Sequence, residues 1–434
     1  MKYLARINAG QGEPQALETL YAAAARENAA AEFRDDMEAA YAAAPDSVLL
    51  AAWHWRLAPA APATPERSPV NWALALPLSL LTGLVLWLLS SPQFSFVDKA
   101  GHSEPFLLVL VTPVIAMVAI AFFAATRKQG YRDATALGVG LAAVAALALW
   151  LSLNDSNYRE LATAHVPLLA WAAAAVCLMG VRATARNRFA FLAKSIEVTV
   201  VTGLYAIAAM AFGGITMQMF KTLGVTPPES VVRLLMVGGA GLMPIIAVAS
   251  VYDPAASPEM QDFRRGLSKM VTTLPRLLLV LTVVVLLAYL ALIPANFMQP
   301  FHDRTALITY NVMMLAVMAL LVGATPVHAD DLSESYQTWL RRGIVAVAAL
   351  VLLVGVYALA AVLYRTAQDR LTMNRLTIIG WNTINIGVLG LLLYLQGKRG
   401  RSQWIASLHA TFSTASVAYL AWAAFVTLAT PWMF

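Results

Sequence analysis

Apolar runs of about 18 to 26 residues recur from Asn71 to Ala429, with short polar gaps between them. Each run is long enough to cross about 30 Å of hydrocarbon as an α-helix. Only helices and closed barrels satisfy the hydrogen bonds of every backbone group in lipid. The alternation of apolar and polar residues that is typical of barrel strands is missing here. We therefore predict an all-α fold, a polytopic transmembrane helical bundle. About eleven spans are expected, near 71–91, 105–125, 134–153, 163–181, 193–219, 231–251, 270–293, 306–325, 343–364, 376–396 and 405–429.

Composition supports a membrane protein. Of the 434 residues, 60% are hydrophobic and 12% are charged, whereas about 25% are charged in soluble proteins. The single cysteine, Cys177, lies within an apolar run. This excludes an intrachain disulfide framework and a cysteine-based metal site.

The first 57 residues are different, because they carry three short amphipathic helical patterns. The first begins at Glu13-Pro14, the second covers about 28–42, and the third covers 48–57 after a cap at Pro45-Asp46-Ser47. We expect a soluble helical-hairpin domain over 1–57, which either docks a partner protein or packs as a small cap. Its core stripes are Leu17, Leu20, Tyr21, Ala24 and Ala25, then Phe33, Met37, Ala40 and Tyr41, then Leu49, Leu50, Trp53 and Trp55. Residues 58–70 are rich in Pro and Ala and predict a linker to the transmembrane domain, 71–434.

Loop charges predict the orientation. Basic residues cluster in alternate gaps, which the positive-inside rule assigns to the cytoplasm together with the N-terminus. The basic excess therefore reflects topology, and we expect no nucleic-acid partner. The clusters are Arg127, Lys128 and Arg132; Arg182, Arg186 and Arg188; Arg264, Arg265 and Lys269; Arg341 and Arg342; and Lys398, Arg399 and Arg401. With one exception, the opposite gaps hold a single basic residue each, namely Lys99, Arg159, Lys221 and Arg304, and Arg233 lies just inside its helix.

The stretch from Tyr364 to Asn385 is where polar residues concentrate, and it breaks this rule. It contains three arginines, one aspartate and three asparagines between two apolar runs. The orientation above would leave Arg365, Arg370 and Arg375 outside. Either the span count is off by one near this stretch, or the fold holds these arginines against their statistical preference.

Residues from about Arg276 to Gln396, above all the motif YRTAQDRLTMNRLTIIGWN, resemble an uncharacterised family of multi-pass bacterial inner-membrane proteins. Members of that family, known only as a domain of unknown function, show a similar Arg and Leu-Thr-x-Asn-Arg turn between two late spans. The chain departs from the family pattern at Arg370 and Leu376, where Gly and an aromatic residue are usual. The resemblance implies a bacterial inner-membrane location and supplies no activity.

The same motif predicts a helix start, with Thr372 as N-cap of a helix beginning near Asn374. Arginines beside a helix N-terminus attract anions, so an anionic ligand or lipid headgroup could bind there. A turn anchored to lipid phosphate is the plainer alternative. Asn382 and Asn385 follow at i, i+3 and so lie on one helix face. This face either makes hydrogen bonds to a neighbouring helix, with Asn311 as a possible partner, or forms part of a solute path.

Lys194 and Glu197 lie at i, i+3 near the start of the fifth span. Glu197 is the carboxylate best placed below the headgroups, so it is a candidate for proton or cation coupling; a paired interfacial ion is the alternative. Glycines at 213–214 and 238–241 mark either broken helices around a substrate site or close packing.

Nothing in the sequence favours an enzyme. No nucleophile elbow or phosphate-binding loop is present, and no two of the six histidines have metal-ligand spacing. We expect no cofactor and no metal, although His102 with Glu104, His165 with Glu160 and His302 with Asp303 would lie near one face. Two hypotheses follow: a transporter or channel for a small solute or ion, or a membrane scaffold or sensor that docks a partner through its N-terminal domain.

Overall fold

The structure is a computed structural model that describes residues 3–10, 12–26, 29–57, 70–97, 103–125, 131–153, 155–263, 266–302, 304–328 and 332–434. The chain divides into two compact units, Met1–Arg67 and Ser68–Phe434. Residues 58–69, which carry nearly all of the predicted linker, lie outside the described residues, as do Arg127, Lys128, Arg264 and Arg265 of the basic gaps.

Within its described residues, the N-terminal unit contains four helices, one more than the sequence predicted. They are α1 (Leu4–Ala9), α2 (Pro14–Arg26), α3 (Ala30–Ala43) and α4 (Val48–Leu57). Pro14 opens α2, where its missing N–H costs nothing. The Ser47 hydroxyl accepts a hydrogen bond from the Leu50 N–H at 3.4 Å and so caps α4 as expected. The unpredicted α1 is only six residues long, too short for a periodic pattern.

Aromatic packing builds the core of this unit. The Phe33 ring is fully buried, and its centroid lies 5.8 Å from that of Tyr3, 5.4 Å from that of Tyr21 and 6.0 Å from that of Trp53. Edge and tilted contacts at these distances are the favourable geometry for aromatic rings. Trp55, which we expected in the core, is 69% exposed, because α4 turns its opposite face inward.

The second unit contains thirteen helices over the residues that the structure describes. They are α5 (Trp72–Leu89), α6 (Phe106–Ala125), α7 (Tyr131–Ser152), α8 (Ser156–Met179), α9 (Ala185–Thr222), α10 (Glu229–Arg233), α11 (Gly239–Val251), α12 (Gly266–Leu292), α13 (Gln299–His302), α14 (Arg304–Ala324), α15 (Glu334–Gln368), α16 (Met373–Lys398) and α17 (Trp404–Leu428). With α10 and α11 counted as one segment, eleven of these segments are long and apolar enough to cross a membrane. The predicted fold class and number of spans are confirmed, and the chain is an integral membrane protein. The described strands are two residues each, Phe96–Val97 and Ser103–Glu104, and pair in antiparallel register.

Three consecutive helices, α15, α16 and α17, pack side by side in alternating directions. At one end, the Arg341 guanidinium donates to the side chain and the backbone carbonyl of Gln396 at 2.9 and 2.8 Å, and the Gln396 amide donates to the Trp404 carbonyl at 2.8 Å. Helix α17 also packs on α8 and α9. Fully buried Val351, Leu389 and nearly buried Phe412 belong to the core between these helices.

The glycine-rich segments pack closely and do not break the helices. A Cβ on Gly241 would lie 2.8 Å from the Gly83 Cα, so α5 and α11 touch through their backbones, and the Thr82 hydroxyl donates to the Gly241 carbonyl at 2.9 Å. One π-helical turn, Leu234–Gly238, joins α10 to α11 without interrupting the span. Helix α9 also continues through Gly213-Gly214 and ends at Thr222. Glycine is tolerated inside a transmembrane helix, where neighbouring helices limit the entropic penalty.

The turn between α15 and α16 comprises residues 369–372. Each of these helices is a single span, so no additional span lies next to Arg365, Arg370 and Arg375. Because α15 and α16 run antiparallel, this turn lies at the opposite end of the two helices from Arg341 and Lys398. The fold therefore puts these arginines away from the two basic gaps that flank them in sequence.

Candidate functional site

The α15–α16 turn is organised by Thr372 and Arg375. The Thr372 hydroxyl accepts a hydrogen bond from the Arg375 N–H at 3.3 Å, which confirms the predicted N-cap. The Arg375 guanidinium lies 2.9 Å from an Asp369 carboxylate oxygen and donates to the Arg370 carbonyl at 2.7 Å. Arg375 therefore braces the turn, because two of its nitrogens are engaged within it.

The other polar residues of this turn are less engaged. Within the described part of the chain, the Arg365 Nη1 atom and the Asn374 Oδ1 atom are buried and have no hydrogen-bond partner. Arg370 is exposed to solvent. These three side chains are the ones at this end of the helix that could take a ligand, whereas Arg375 is held by Asp369.

The two asparagines farther along α16 differ sharply from each other. Asn385 is buried, and its amide oxygen accepts a hydrogen bond from the Tyr419 hydroxyl of α17. Sequence analysis proposed Asn311 as a partner, but the Asn311 amide donates to the Leu307 carbonyl of its own helix at 3.0 Å. Asn385 is therefore a polar link between α16 and α17.

Asn382 is 1% exposed, and neither its amide nitrogen nor its amide oxygen has a partner among the residues that the structure describes. Leaving a buried polar group unpaired costs about 1–3 kcal/mol, and in lipid no bulk water is at hand to relieve it. The residue lies nine positions into a 26-residue helix, about 14 Å from its start at 1.5 Å per residue. An unpaired amide is therefore held well inside the bundle.

Trp381, which precedes Asn382 in the sequence, contacts neutral aromatic groups of two other helices. The Trp381 indole N–H donates to His165 Nε2 of α8 at 3.0 Å. Because an indole can only donate, His165 Nε2 must accept, and the ring proton lies on Nδ1, which donates to the Leu161 carbonyl at 2.8 Å. His165 is therefore a neutral imidazole with both nitrogens satisfied. The Trp381 ring also packs on Tyr419, with centroids 5.3 Å apart.

Two close helix contacts bracket Asn382 along α16. A Cβ on Gly380 would overlap the Trp422 ring of α17, so these helices are in direct contact two residues before Asn382. Four residues after it, Ile386 lies 3.4 Å from the position of a Cβ on Gly355 of α15. Ile378, four residues before Asn382, packs on the α14–α15 side as well, so Ile378 and Ile386 lie one turn to either side of Asn382 on the same face of α16.

Lys194 and Glu197 form an ion pair on α9. Their charged atoms are 2.8 Å apart, and both side chains are buried. The ammonium also donates to the Asp262 carbonyl at 2.9 Å and lies 4.9 Å from the centre of the Phe263 ring. The expected ion pair is present. Through the Asp262 carbonyl, Lys194 also connects the segment after α11 to α9. Whether Glu197 couples to proton or cation movement stays a prediction.

The structure brings together some predicted residues and not others. Asn385 pairs with Tyr419, and Lys194 pairs with Glu197, but no hydrogen bond joins the α16 asparagines to α9 within the described ranges. Of the outer histidine pairs, His102 and Asp303 lie outside the described residues. Among the residues that are described, no three His, Cys, Asp or Glu side chains cluster as metal ligands.

The aromatic residues that pack on α16 were not predicted from the sequence. His165 was considered only as an outer-face ligand beside Glu160, and Tyr419 and Trp422 were not singled out. The one available signal is that Tyr419, Trp422 and Phe425 recur every three residues along the last span. That spacing indicates one helix face but not which helix the face meets.

No known protein family, characterised protein or solved structure matches this chain. The resemblance of residues 276–396 to a multi-pass bacterial membrane family stays a prediction.

Proposed function

We propose that this protein carries a small solute across the membrane and that the amide of Asn382 is the central solute-binding group. The observation that carries the proposal is the unpartnered, fully buried amide in a transmembrane helix. Polar groups inside membrane spans that are not paired with protein are typical of substrate and ion paths. Arg365, Arg370 and Asn374 would line the end of that path at the α15–α16 turn.

A purely structural role explains Asn382 less well than it explains Asn385. Interhelical glue requires a partner on the neighbouring helix, and Asn385 has one in Tyr419. An apolar side chain at 382 would fill similar volume without an unpaired amide, so the asparagine lowers stability. Functional sites are where such a loss of stability is expected.

The proposed location is a bacterial cytoplasmic membrane, with the N-terminus in the cytoplasm. Arg182 and Arg401 lie in gaps between helices, and Arg341, Arg342 and Lys398 lie near the helix ends that adjoin such gaps. The positive-inside rule assigns these basic ends to the cytoplasm. The α15–α16 turn would then face outward, and its arginines could meet anionic headgroups.

A scaffold or sensor is the second candidate. It is favoured by α4 of the N-terminal unit, where Val48 is 84% exposed and Trp55 is 69% exposed on one face. Exposed apolar side chains of this size are common at protein-docking surfaces. In that case the transmembrane bundle would be dry around Asn382.

Thiol labelling separates these two functions. Cys177→Ala gives a chain without cysteine, into which Asn382→Cys, Leu392→Cys or Arg370→Cys is introduced. Iodoacetamide, a small neutral reagent, reacts with the thiolate, so the labelling rate reports access of water. For a transporter, Cys at 382 should label at a rate close to that of the exposed site 370.

Leu392 is the matched dry control, because it is 1% exposed on the same helix. Equal, slow labelling at 382 and 392 in reconstituted liposomes would contradict a solute path and favour the scaffold. Each variant is first checked for monodisperse elution in detergent, so that labelling of misfolded protein is not counted.

A further inference from the structure

We infer that the solute bound at Asn382 is small and uncharged and that it both donates and accepts hydrogen bonds. This inference rests on the proposed transport function and concerns the same site. It follows from the chemistry of Asn382, from the charge of the described groups around it, and from the helix contacts on either side.

The Asn382 side chain offers one carbonyl oxygen and one amide N–H₂, and both are unpartnered among the described residues. A ligand that satisfies both must itself carry a donor and an acceptor, as a hydroxyl, a carboxamide or a urea does. A bare cation would leave the N–H₂ unpaired, and a bare anion would leave the carbonyl unpaired. The amide therefore matches a neutral, bifunctional group.

The polar side chains within one turn of Asn382 along α16, and the described side chains to which they hydrogen-bond, are all neutral. Asn385 and Tyr419 are hydrogen-bonded to each other, and Trp381 donates to the neutral imidazole of His165. Arg375 pairs with Asp369 at the turn, and Lys194 pairs with Glu197 on α9.

Arg365 and Asn374 lie at the helix end, and Asn374 is eight residues, about 12 Å, from Asn382. An ion held at Asn382 would thus lack a counter-charge in a medium of low dielectric constant, where its desolvation is strongly unfavourable.

The helix contacts limit the size of the solute. Ile378, four residues before Asn382, packs against the cluster of α14 and α15 that includes Val354 and Ala358. Ile386, four residues after Asn382, meets Gly355 of α15. Both contacts are within about one helical turn of the amide, so a ligand of only a few non-hydrogen atoms fits between them without separating the helices. Urea and glycerol are probes of this size.

The test uses three planar probes of similar size that differ in charge: neutral urea, cationic guanidinium and anionic nitrate. The full chain is reconstituted in liposomes, and stopped-flow light scattering follows entry of each probe, with valinomycin and potassium present to remove any membrane potential. Glycerol serves as a second neutral probe. Asn382→Leu and Asn382→Ala are compared with wild type, and Thr383→Ala, on the exposed side of α16, is the matched control.

We expect urea or glycerol to enter faster than in empty liposomes, and both Asn382 variants to lower that rate about tenfold, the factor that one ordinary hydrogen bond is worth. Thr383→Ala should leave the rate unchanged. Asn382-dependent entry of guanidinium or nitrate would overturn the neutral-solute inference while supporting transport. Absence of Asn382-dependent entry of all four probes would also overturn it, and labelling of Cys at 382 would then decide separately whether a water path, and hence transport, remains.

Discussion

At the scale of single residues, Asn382 and Asn385 form a natural comparison, because they have the same chemistry, lie three positions apart on one helix and differ in pairing. Asn385 accepts from Tyr419, whereas Asn382 has no partner within the described chain. Pairing decides the sign of a buried polar group's contribution to stability. The two residues should therefore respond oppositely to the same substitution.

Asn382→Leu should raise the apparent melting temperature of the protein in detergent, because it removes an unpaired amide that costs about 1–3 kcal/mol. Asn385→Leu should lower the apparent melting temperature, because the Tyr419 hydroxyl loses its acceptor. The loss of stability should be of comparable size. Melting followed by size-exclusion chromatography measures both. If Asn382→Leu were the more destabilising of the two, Asn382 would have a structural partner and the solute site would be wrong.

The buried Lys194–Glu197 pair predicts a second residue-scale outcome. Glu197→Gln should destabilise the protein by about 3–5 kcal/mol, since it leaves the Lys194 ammonium buried without its carboxylate. Adding Lys194→Met should recover part of that loss in the double variant. The apparent melting temperatures of the three variants test this. A stable Glu197→Gln protein that loses only pH-dependent flux would instead favour the coupling hypothesis for Glu197.

In the N-terminal unit, Glu18 and Arg56 predict a pH dependence. The Arg56 hydrogen bond lowers the pKa of Glu18 below its ordinary value of 4.5. A lowered folded-state pKa contributes stability above the unfolded-state pKa, and this is lost as pH falls through the folded-state pKa. The pair is solvent-exposed, so the effect is small. Glu18→Gln should flatten the fall in stability of this unit below about pH 4.5, as circular dichroism at several pH values can show.

At the scale of elements, the contact of α5 with α11 depends on glycine at two positions. A Cβ at 241 would meet the Gly83 backbone, whereas one at Gly239 would meet no atom within 4 Å. Backbone atoms cannot move aside as a flexible side chain can. This contact therefore fixes the distance between the two helices.

Gly241→Ala should destabilise the bundle by about 1–3 kcal/mol, the usual cost of overpacking. Gly239→Ala, two residues away, should be neutral or stabilising by about 0.5–1 kcal/mol, because alanine is the better helix former. Thermal melting of the two variants side by side measures the difference. Equal effects at 239 and 241 would mean that α5 and α11 do not meet at these glycines.

At the scale of the whole molecule, the chain is two units with separate cores. The N-terminal unit buries Ile7, Leu17, Phe33, Met37 and Leu50 in a core of its own. Its net charge over residues 1–70 is negative, with six Lys/Arg and nine Asp/Glu, whereas the remainder is basic. A domain with its own core can fold alone.

A fragment of residues 1–67 should therefore be helical by circular dichroism and unfold cooperatively. Phe33→Ala should lower its free energy of unfolding by about 3–5 kcal/mol, because the ring is fully buried among three other aromatic rings. Trp55→Ala is the matched control and should have little effect, since Trp55 is exposed. A fragment that is unstructured in water would show that the unit depends on the rest of the chain.

The sequence by itself determined the fold class, the eleven spans and the Thr372 cap. These features depend on local properties, namely the length of each apolar run and the chemistry of a helix start, so they can be calculated segment by segment. It did not determine α1 or the course of α9 through Gly213-Gly214. Helix α1 is too short for a periodic pattern, and Gly213-Gly214 has little conformational preference of its own. In both places the surrounding structure sets the backbone conformation.

Only the tertiary structure decided which polar side chains are paired. Tyr419 reaches Asn385 across 34 residues, Trp381 reaches His165 across 216, and Lys194 reaches the Asp262 carbonyl across 68. Such pairs depend on how far each helix is rotated about its axis and shifted along its neighbour. Packing of the whole bundle sets both quantities, and no single apolar run encodes them. For that reason the sequence could name Asn382 and Asn385 together, and only the fold could tell them apart.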